Sequence, residues 1–133
     1  KKPEIEHYVA ENNLDASVKF LGLQSNVYSY LHDADIFTLP SNYEGLPMTL
    51  IEALGTGLPI VATAVGGVPD MLDCSSAILI ESNENAIVSA FEKYYFDADK
   101  RIKCGRMAKE TADAFSSAKM CENYLKTYLK SFF

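Results

Sequence analysis

Four short apolar runs in the first eighty residues constrain the fold more than any other feature of the chain. They occupy residues 18–21, 36–39, 60–62 and 77–80. Runs of this length between helical patterns are typical of strands that are buried on both faces, as in a parallel sheet. Parallel neighbours need crossover connections, which the intervening helical segments can supply. The sequence therefore predicts an α/β fold, a Rossmann-like parallel sheet with flanking helices.

Helical periodicity fills the segments around these runs. It predicts helices near residues 3–13, 26–33, 47–55, 69–73, 83–95, 99–115 and 118–132. Ser25 is suited to cap the second helix, and Pro47 fits the first helical position of the third. The chain opens on a helix and offers four strands, whereas a doubly wound domain usually has about six. We therefore expect that the first strands of the sheet are missing.

Charge and composition exclude several classes of protein. The chain carries a net charge of −6, with −10 in residues 1–98 and +4 in residues 99–133. This is not the basic surface that nucleic acid requires. No apolar run approaches the ~18 residues that span a bilayer, and the first residues lack a signal-peptide core, so we expect a cytoplasmic protein. The three cysteines form no CxxC pair and are predicted to be buried thiols, not disulfides or zinc ligands.

The loop at residues 40–46 is the strongest candidate site, because ligands of parallel sheets bind beyond the carboxyl ends of the strands. It leads into the third helix, whose cap position, assigned to Leu46, has no side-chain acceptor. The N–H groups of Met48 and Thr49 therefore lack an internal partner. A phosphate or diphosphate would satisfy them at the positive end of the helix dipole, and the Thr49 hydroxyl adds a donor. Capping by water is the alternative.

A polar stripe runs along the same helix. It consists of Thr49, Glu52 and Thr56, at positions i, i+3 and i+7. Glu52 lies about 8 Å along the axis from the helix start, where its carboxylate could accept hydrogen bonds from a ribose diol. Glu44 stands in the loop before the helix. Considered alone, Glu52 would be interpreted as an ordinary solvent-facing glutamate.

Residues 39–63 resemble the signature segment of the retaining GT-B glycosyltransferases of family four, also called glycosyltransferase group 1. The segment carries the E-x7-E pair of that family as Glu44 and Glu52. Residues 18–22, 34–37 and 65–70 resemble further motifs of the family in the same order. The resemblance covers nearly the whole chain and identifies it as a C-terminal donor-binding domain, residues 1–133, that lacks its first strands and the N-terminal acceptor domain.

The resemblance implies transfer of a sugar from a nucleotide-diphosphate donor to an acceptor hydroxyl, with retention of configuration and no essential metal or cofactor. It assigns Glu44 to the donor sugar as the catalytic contact and Glu52 to the ribose. The remaining donor-binding residues by this resemblance are Gly45, Leu46, Met48 and Thr49 around the diphosphate, Gly22 and Leu23 beside the base, and Gly66 and Gly67. The donor is expected to be a UDP-sugar and the acceptor a glycan or lipid-linked glycan.

Two positions depart from the usual pattern of the family. Pro47 stands where many members carry a second glycine, and Asp70 stands where glutamate is common. The proline removes one N–H group and is a variant associated with bacterial capsule and surface-polysaccharide assembly. In the family, the last helix lies against the acceptor domain. For the tail of this chain, with Met120, Tyr124, Tyr128 and Phe132 on one side and lysines between them, a peripheral contact with the inner face of the membrane is a further hypothesis.

Other functions fit the residues less well. The triplet Asp33-Ala34-Asp35 resembles a metal-binding D-x-D motif but precedes a strand, at the end of the sheet opposite the candidate site. A glycosidase would need two carboxyl groups across the scissile bond. Here Glu44 follows a strand, whereas Glu52 lies along the helix that flanks the candidate phosphate site. His7 and His32 are isolated from any nucleophile and are predicted at the surface. A non-catalytic nucleotide-sugar-binding or scaffold module and a nucleotide-sugar epimerase of GT-B architecture remain as alternatives.

Overall fold

The computed structural model describes residues 2–130 and has a three-stranded parallel sheet at its centre. The strands are β1 (Phe37–Leu39), β2 (Ile60–Thr63) and β3 (Ala77–Ile80), in the order β1-β2-β3. The helices are α1 (Lys2–Glu11), α2 (Val27–Asp33), α3 (Met48–Thr56), α4 (Val68–Met71), α5 (Glu84–Tyr95), α6 (Ala98–Ala112) and α7 (Ser117–Lys130). A 3₁₀ turn, Asp113–Phe115, joins α6 to α7. The predicted α/β class is therefore confirmed.

The middle strand, β2, is buried on both faces, which accounts for its successive apolar residues. All four of its residues are buried. Ile60 and Ala62 pack into one cluster with α3, α4 and α6, whereas Val61 packs into a second cluster on the other face with α5. Successive side chains of a strand point to opposite faces, so a strand between two layers of helices needs apolar residues throughout.

The prediction of a strand at residues 18–21 is wrong. No residue of this segment joins the sheet within residues 2–130. Val18, Phe20 and Leu21 are instead exposed. A strand needs a neighbour to satisfy its backbone N–H and C=O groups, and the described part of the chain provides none here. The apolar composition indicated a segment suited to burial, but it carried no information about the partner.

Two predicted helix starts also need correction. Asn26, not Ser25, occupies the N-cap of α2, and its side chain accepts no capping hydrogen bond. Pro47 is the N-cap of α3, with extended backbone, rather than its first helical residue. The main consequence of the prediction survives, because Pro47 also has no side-chain acceptor for the N–H groups of the first turn.

The cysteine prediction holds for one residue of three. Cys104 is buried in the cluster beside β2, whereas Cys74 and Cys121 are exposed. Cys74 lies in the turn after α4, and Cys121 lies on α7, a helix without buried residues in its described range. His7 and His32 are exposed, as predicted. Of the apolar residues predicted on one side of the tail, Phe132 lies outside the described residues.

Candidate donor-binding site

Two loops meet at the carboxyl ends of β1 and β2. The β1–α3 loop comprises residues 40–47, and the β2–α4 loop comprises residues 64–67. A Cβ atom added at Gly66 would lie 1.7 Å from the backbone oxygen of Glu44, and one added at Gly67 would lie 2.4 Å from that of Gly45. Gly66 also has a φ of +54°, which L side chains rarely adopt. Glycine at these two positions therefore allows the loops to touch.

The Glu44 side chain is half-buried and is held by its own loop. The Ser41 hydroxyl donates a hydrogen bond of 2.6 Å to Glu44 Oε1. The backbone oxygen of Ser41 in turn accepts a hydrogen bond of 2.5 Å from the hydroxyl of Thr63, the last residue of β2. Glu44 thus lies at the end of a short chain of contacts that begins in the core of the sheet.

The start of α3 presents unsatisfied donors. The backbone N–H of Leu50 bonds the Pro47 oxygen at 3.1 Å, but within residues 2–130 the N–H groups of Met48 and Thr49 have no hydrogen-bond acceptor. Met48 and Thr49 are exposed, whereas Pro47 is buried. The first turn of α3 can therefore direct two N–H groups and a hydroxyl toward an anionic ligand, at the positive end of the helix dipole.

Glu52 follows Thr49 by one turn of α3. It is half-buried, and its carboxylate has no hydrogen-bond partner among the described residues. Thr56, the next residue of the predicted polar stripe, is already engaged, because its hydroxyl donates to the Ala53 oxygen at 2.8 Å. Glu52 thus retains all its acceptor capacity, while Thr56 is a structural residue of the end of the helix.

Gly22 and Leu23 stand apart from these contacts. Gly22 has a φ of +64°, and the Leu23 side chain is fully exposed. The side-chain hydrogen bonds of this loop are local: the Gln24 amide donates to the Leu21 oxygen and accepts from Tyr30. No hydrogen bond joins the two residues to Glu44, α3 or the β2–α4 loop in the described part of the chain.

Sequence reasoning missed three polar contacts around Glu44. They are the bonds from Ser41 to Glu44, from Thr63 to Ser41, and from Ser82, after β3, to the Asn42 side chain at 2.5 Å. One signal was available, because Thr63 is a polar residue at the end of an otherwise apolar buried strand. A polar group in such a position requires a hydrogen-bond partner.

The opposite end of the sheet, where the strands begin, has an open cavity but no candidate metal site among the described residues. An open cavity of about 340 Å³ there is lined by residues that precede β1 and β2, including Asp35 and Pro59, together with Arg101 of α6. Asp33 and Asp35 are exposed. Within residues 2–130, no group of three or more His, Cys, Asp or Glu side chains is placed to hold a metal ion. No helix in this range is long and apolar enough to cross a bilayer.

The family model described as "Glycosyl transferases group 1" matches residues 1–97, which is most of the chain. The chain belongs to this family. Membership confirms the predicted resemblance of the chain to glycosyltransferase group 1.

Curated relatives in the glycosyltransferase group 1 family extend the match toward the C-terminus. The O-antigen biosynthesis glycosyltransferase WbnH of Escherichia coli is 31% identical over 112 residues, which is 84% of this chain and 30% of that protein. The N-acetylgalactosamine-N,N'-diacetylbacillosaminyl-diphospho-undecaprenol 4-alpha-N-acetylgalactosaminyltransferase of Campylobacter jejuni is 30% identical over 131 residues, 96% of this chain and 36% of that protein. The chain thus spans about a third of the length of these relatives.

Solved structures show the same fold. Sucrose-phosphate synthase from Thermosynechococcus elongatus superposes with a TM-score of 0.86 at 27% identity, covering 98% of this chain and 34% of that protein. HepE of Anabaena, solved in complex with UDP, has a TM-score of 0.87 at 20% identity, covering 97% of this chain and 36% of that protein. The three-stranded sheet and its helices are therefore a part of the GT-B glycosyltransferase fold.

Proposed function

We propose that this chain is the donor-binding part of a retaining glycosyltransferase that transfers a sugar from a nucleotide diphosphate to an acceptor hydroxyl in polysaccharide or glycoconjugate biosynthesis. One observation carries the proposal: the Glu44 carboxylate, the glycines of the β2–α4 loop and the uncapped start of α3 lie at the same edge of the sheet. Membership of the glycosyltransferase group 1 family supports it.

The diphosphate is assigned to the start of α3. The free N–H groups of Met48 and Thr49 and the Thr49 hydroxyl are donors of the kind that phosphate oxygens accept, and the backbone of Gly45 and Leu46 completes the cradle. Pro47 contributes no N–H, so the cradle has one donor fewer than a glycine would allow. Because this set consists of backbone groups and a hydroxyl, we assign no metal or other cofactor to it.

The two glutamates receive different parts of the donor. Glu52, with no other partner, is positioned to accept hydrogen bonds from the ribose hydroxyls. Glu44 binds hydroxyls of the donor sugar through the acceptor capacity that its bond with Ser41 leaves free. Gly66 and Gly67 form the side of the site next to Glu44. Gly22 and Leu23 are assigned to the base of the nucleotide. HepE, which has the same fold, was solved with UDP, which supports a uridine donor.

The main catalytic contribution of this part is electrostatic. Negative charge grows on the diphosphate as the bond to the sugar breaks, and donors that are already oriented stabilise it without reorganisation. The dipole of α3 acts in the same direction. We assign no nucleophilic role to Glu44.

The rest of the active protein is proposed to lie outside this chain. The exposed apolar residues at 18–21 and the open side of β1 fit a sheet that continues into preceding strands, and relatives about three times as long leave room for an acceptor domain. A glycan or a lipid-linked glycan at the cytoplasmic face of the membrane is the proposed acceptor, and the name of the Campylobacter relative includes diphospho-undecaprenol. The isolated chain should bind donor weakly and transfer no sugar.

Two alternatives make different demands on the same residues. An epimerase would need further acid and base groups facing the sugar, and the touching loops offer one carboxylate, Glu44, beside the exposed Tyr43. A scaffold module would not depend on Glu52 for its function. The placement of Glu44 and Glu52 and the membership of the glycosyltransferase group 1 family both favour the transferase.

Titration of the chain with nucleotide sugars tests the proposal. Amide NMR spectra recorded with UDP-glucose, GDP-mannose and ADP-glucose should shift the signals of residues 44–52 for one donor at millimolar concentration. Glu52→Ala should weaken that donor at least about tenfold, since a charge-assisted hydrogen bond is lost. Glu110→Ala, which removes an exposed helical glutamate of α6, is the control. Unchanged affinity in Glu52→Ala would refute the ribose assignment.

A further inference from the structure

We propose that Thr63 is a positioning residue that sets the place of Glu44, through Ser41, without touching the donor. The proposal rests on the function assigned above to Glu44. Thr63, a residue of the sheet core, would thereby help the protein to distinguish a nucleotide sugar from the nucleotide without its sugar.

The burial of Thr63 requires an explanation. The side chain is 1% exposed, and only Ser76 shares this degree of burial among the polar residues of the described range. Ser76 uses its hydroxyl within its own turn, with Asp73. The Thr63 hydroxyl instead reaches the neighbouring strand and the loop that follows it. A buried hydroxyl is costly unless it is bonded, so its partner is a specific one.

That partner is the loop of Glu44. The Thr63 hydroxyl lies 2.5 Å from the Ser41 oxygen and 3.3 Å from the Leu39 oxygen, so the bond to Ser41 is the stronger one. It fixes the chain just where it leaves β1. From this fixed point the Ser41 side chain donates to Glu44 Oε1 at 2.6 Å, and the second carboxylate oxygen has no partner in the described part of the chain.

The loop is confined on two further sides. The β2–α4 loop blocks one side, because Gly66 and Gly67 already contact the backbone of Glu44 and Gly45. The Ser82 hydroxyl bonds the Asn42 side chain from the end of β3. Because the loop is held at these points, the bond from Thr63 determines the position of the Ser41 backbone. The position of Ser41 in turn determines the rotamer of Glu44, through the hydrogen bond between their side chains.

The first experiment uses the ligand-free chain. Thr63→Val keeps the β-branched shape but removes the donor, whereas Thr63→Ser keeps the donor. Side-chain coupling constants measured by NMR should show one dominant χ1 rotamer for Glu44 in the wild type and in Thr63→Ser, and averaging in Thr63→Val. Thr56→Val, which removes a hydroxyl bonded to a backbone oxygen within α3, is the matched control and should leave Glu44 unchanged. An unaltered Glu44 rotamer in Thr63→Val would overturn the proposal.

The second experiment uses the ratio of the dissociation constants for UDP and UDP-glucose, each measured by NMR titration. Thr63→Val should reduce the preference for UDP-glucose about three- to tenfold, the effect of one misplaced hydrogen bond, while the Kd for UDP changes less than twofold. Thr63→Ser should restore the preference. A general loss of folding would weaken both ligands together and would count against a positioning role.

A double variant separates this inference from the proposed function. If Thr63 acts through Glu44, Thr63→Val combined with Glu44→Ala should lower the preference no further than Glu44→Ala alone. Equal affinities of the wild type for UDP and UDP-glucose would contradict the sugar-binding role of Glu44, and the rotamer measurement would still decide the positioning role. A preference that Glu44→Ala abolishes and Thr63→Val leaves intact would refute the positioning role alone.

Discussion

Gly66 lies against the backbone of Glu44 so closely that a Cβ atom at Gly66 would stand 1.7 Å from the Glu44 oxygen. The two residues come from loops that follow adjacent parallel strands, β1 and β2. Their contact closes the edge of the sheet at the candidate site. It also makes the left-handed backbone of Gly66 a condition for the position of Glu44.

Gly66→Ala should therefore destabilise the chain and displace the β1–α3 loop. The left-handed conformation costs a residue with a Cβ atom about 1–2 kcal/mol, and relief of the clash with a backbone oxygen adds to that cost. We expect the free energy of unfolding, measured by urea denaturation, to fall by at least about 2 kcal/mol.

Gly55→Ala provides the matched control for this substitution. Gly55 lies in α3, and no atom lies within 4 Å of a Cβ added there. Alanine should raise the free energy of unfolding by about 0.5–1 kcal/mol, because it loses less backbone entropy than glycine. Equal effects of the two substitutions would mean that the contact between the loops does not confine Glu44.

Introduction of a negative charge at the start of α3 separates ligand binding from helix stability. Thr49→Glu places a carboxylate in the first turn of α3, where the helix dipole should stabilise the fold by about 0.3–1 kcal/mol. The same carboxylate occupies the proposed diphosphate position and repels it. The affinity for UDP, measured by NMR titration, should therefore fall at least about tenfold, although the protein becomes more stable.

Ala118→Glu is the control, because it adds the same charge to the first turn of α7. It should leave the affinity for UDP within about twofold of the wild-type value. If both variants weaken UDP equally, the effect comes from net charge and the start of α3 is not the phosphate site.

The strands show how far the sequence alone can predict this fold. The sequence predicts a strand at residues 77–80 with the bounds that β3 has, because this apolar run is bordered by polar residues on both sides. Residues 18–21 also contain strand-forming apolar residues, with Lys19 among them, but form no strand in the described part of the chain. The pattern reports a tendency toward burial, whereas a strand also depends on a hydrogen-bonded neighbour, which no local pattern can encode.

The site shows a similar division. The sequence predicts Glu44, Glu52 and the uncapped start of α3 as the site, since spacing and capping are local properties, and the structure confirms that the start of α3 is uncapped. It could not show that Thr63 reaches the loop of Glu44. In the sequence, threonine at the end of an apolar run resembles an ordinary β-branched strand former, and only the pairing of β1 with β2 places its hydroxyl beside Ser41. The contact is a product of the topology.

Tyr94 gives the fold a predicted sensitivity to alkaline pH. The side chain is fully buried between α5 and the sheet, and its hydroxyl donates to the Ile60 oxygen at 3.3 Å. Burial raises the pKa of Tyr94 well above its ordinary value of 10.0, with the neighbouring Cys104 acting in the same direction. The folded state therefore holds the phenol proton more tightly than the unfolded state, so this contribution is complete below pH 10 and is lost as the pH rises above 10.

Tyr94→Phe should lower the free energy of unfolding by about 1 kcal/mol at pH 7, through loss of the hydrogen bond to Ile60. Between pH 10 and pH 12 the stability of the wild type should fall more steeply than that of the variant, so the difference between them shrinks. Urea denaturation at a series of pH values measures both effects. Tyr95→Phe, at the exposed neighbouring tyrosine, should keep the wild-type slope. A constant difference between the wild type and Tyr94→Phe across this range would show that the buried phenol is not linked to unfolding.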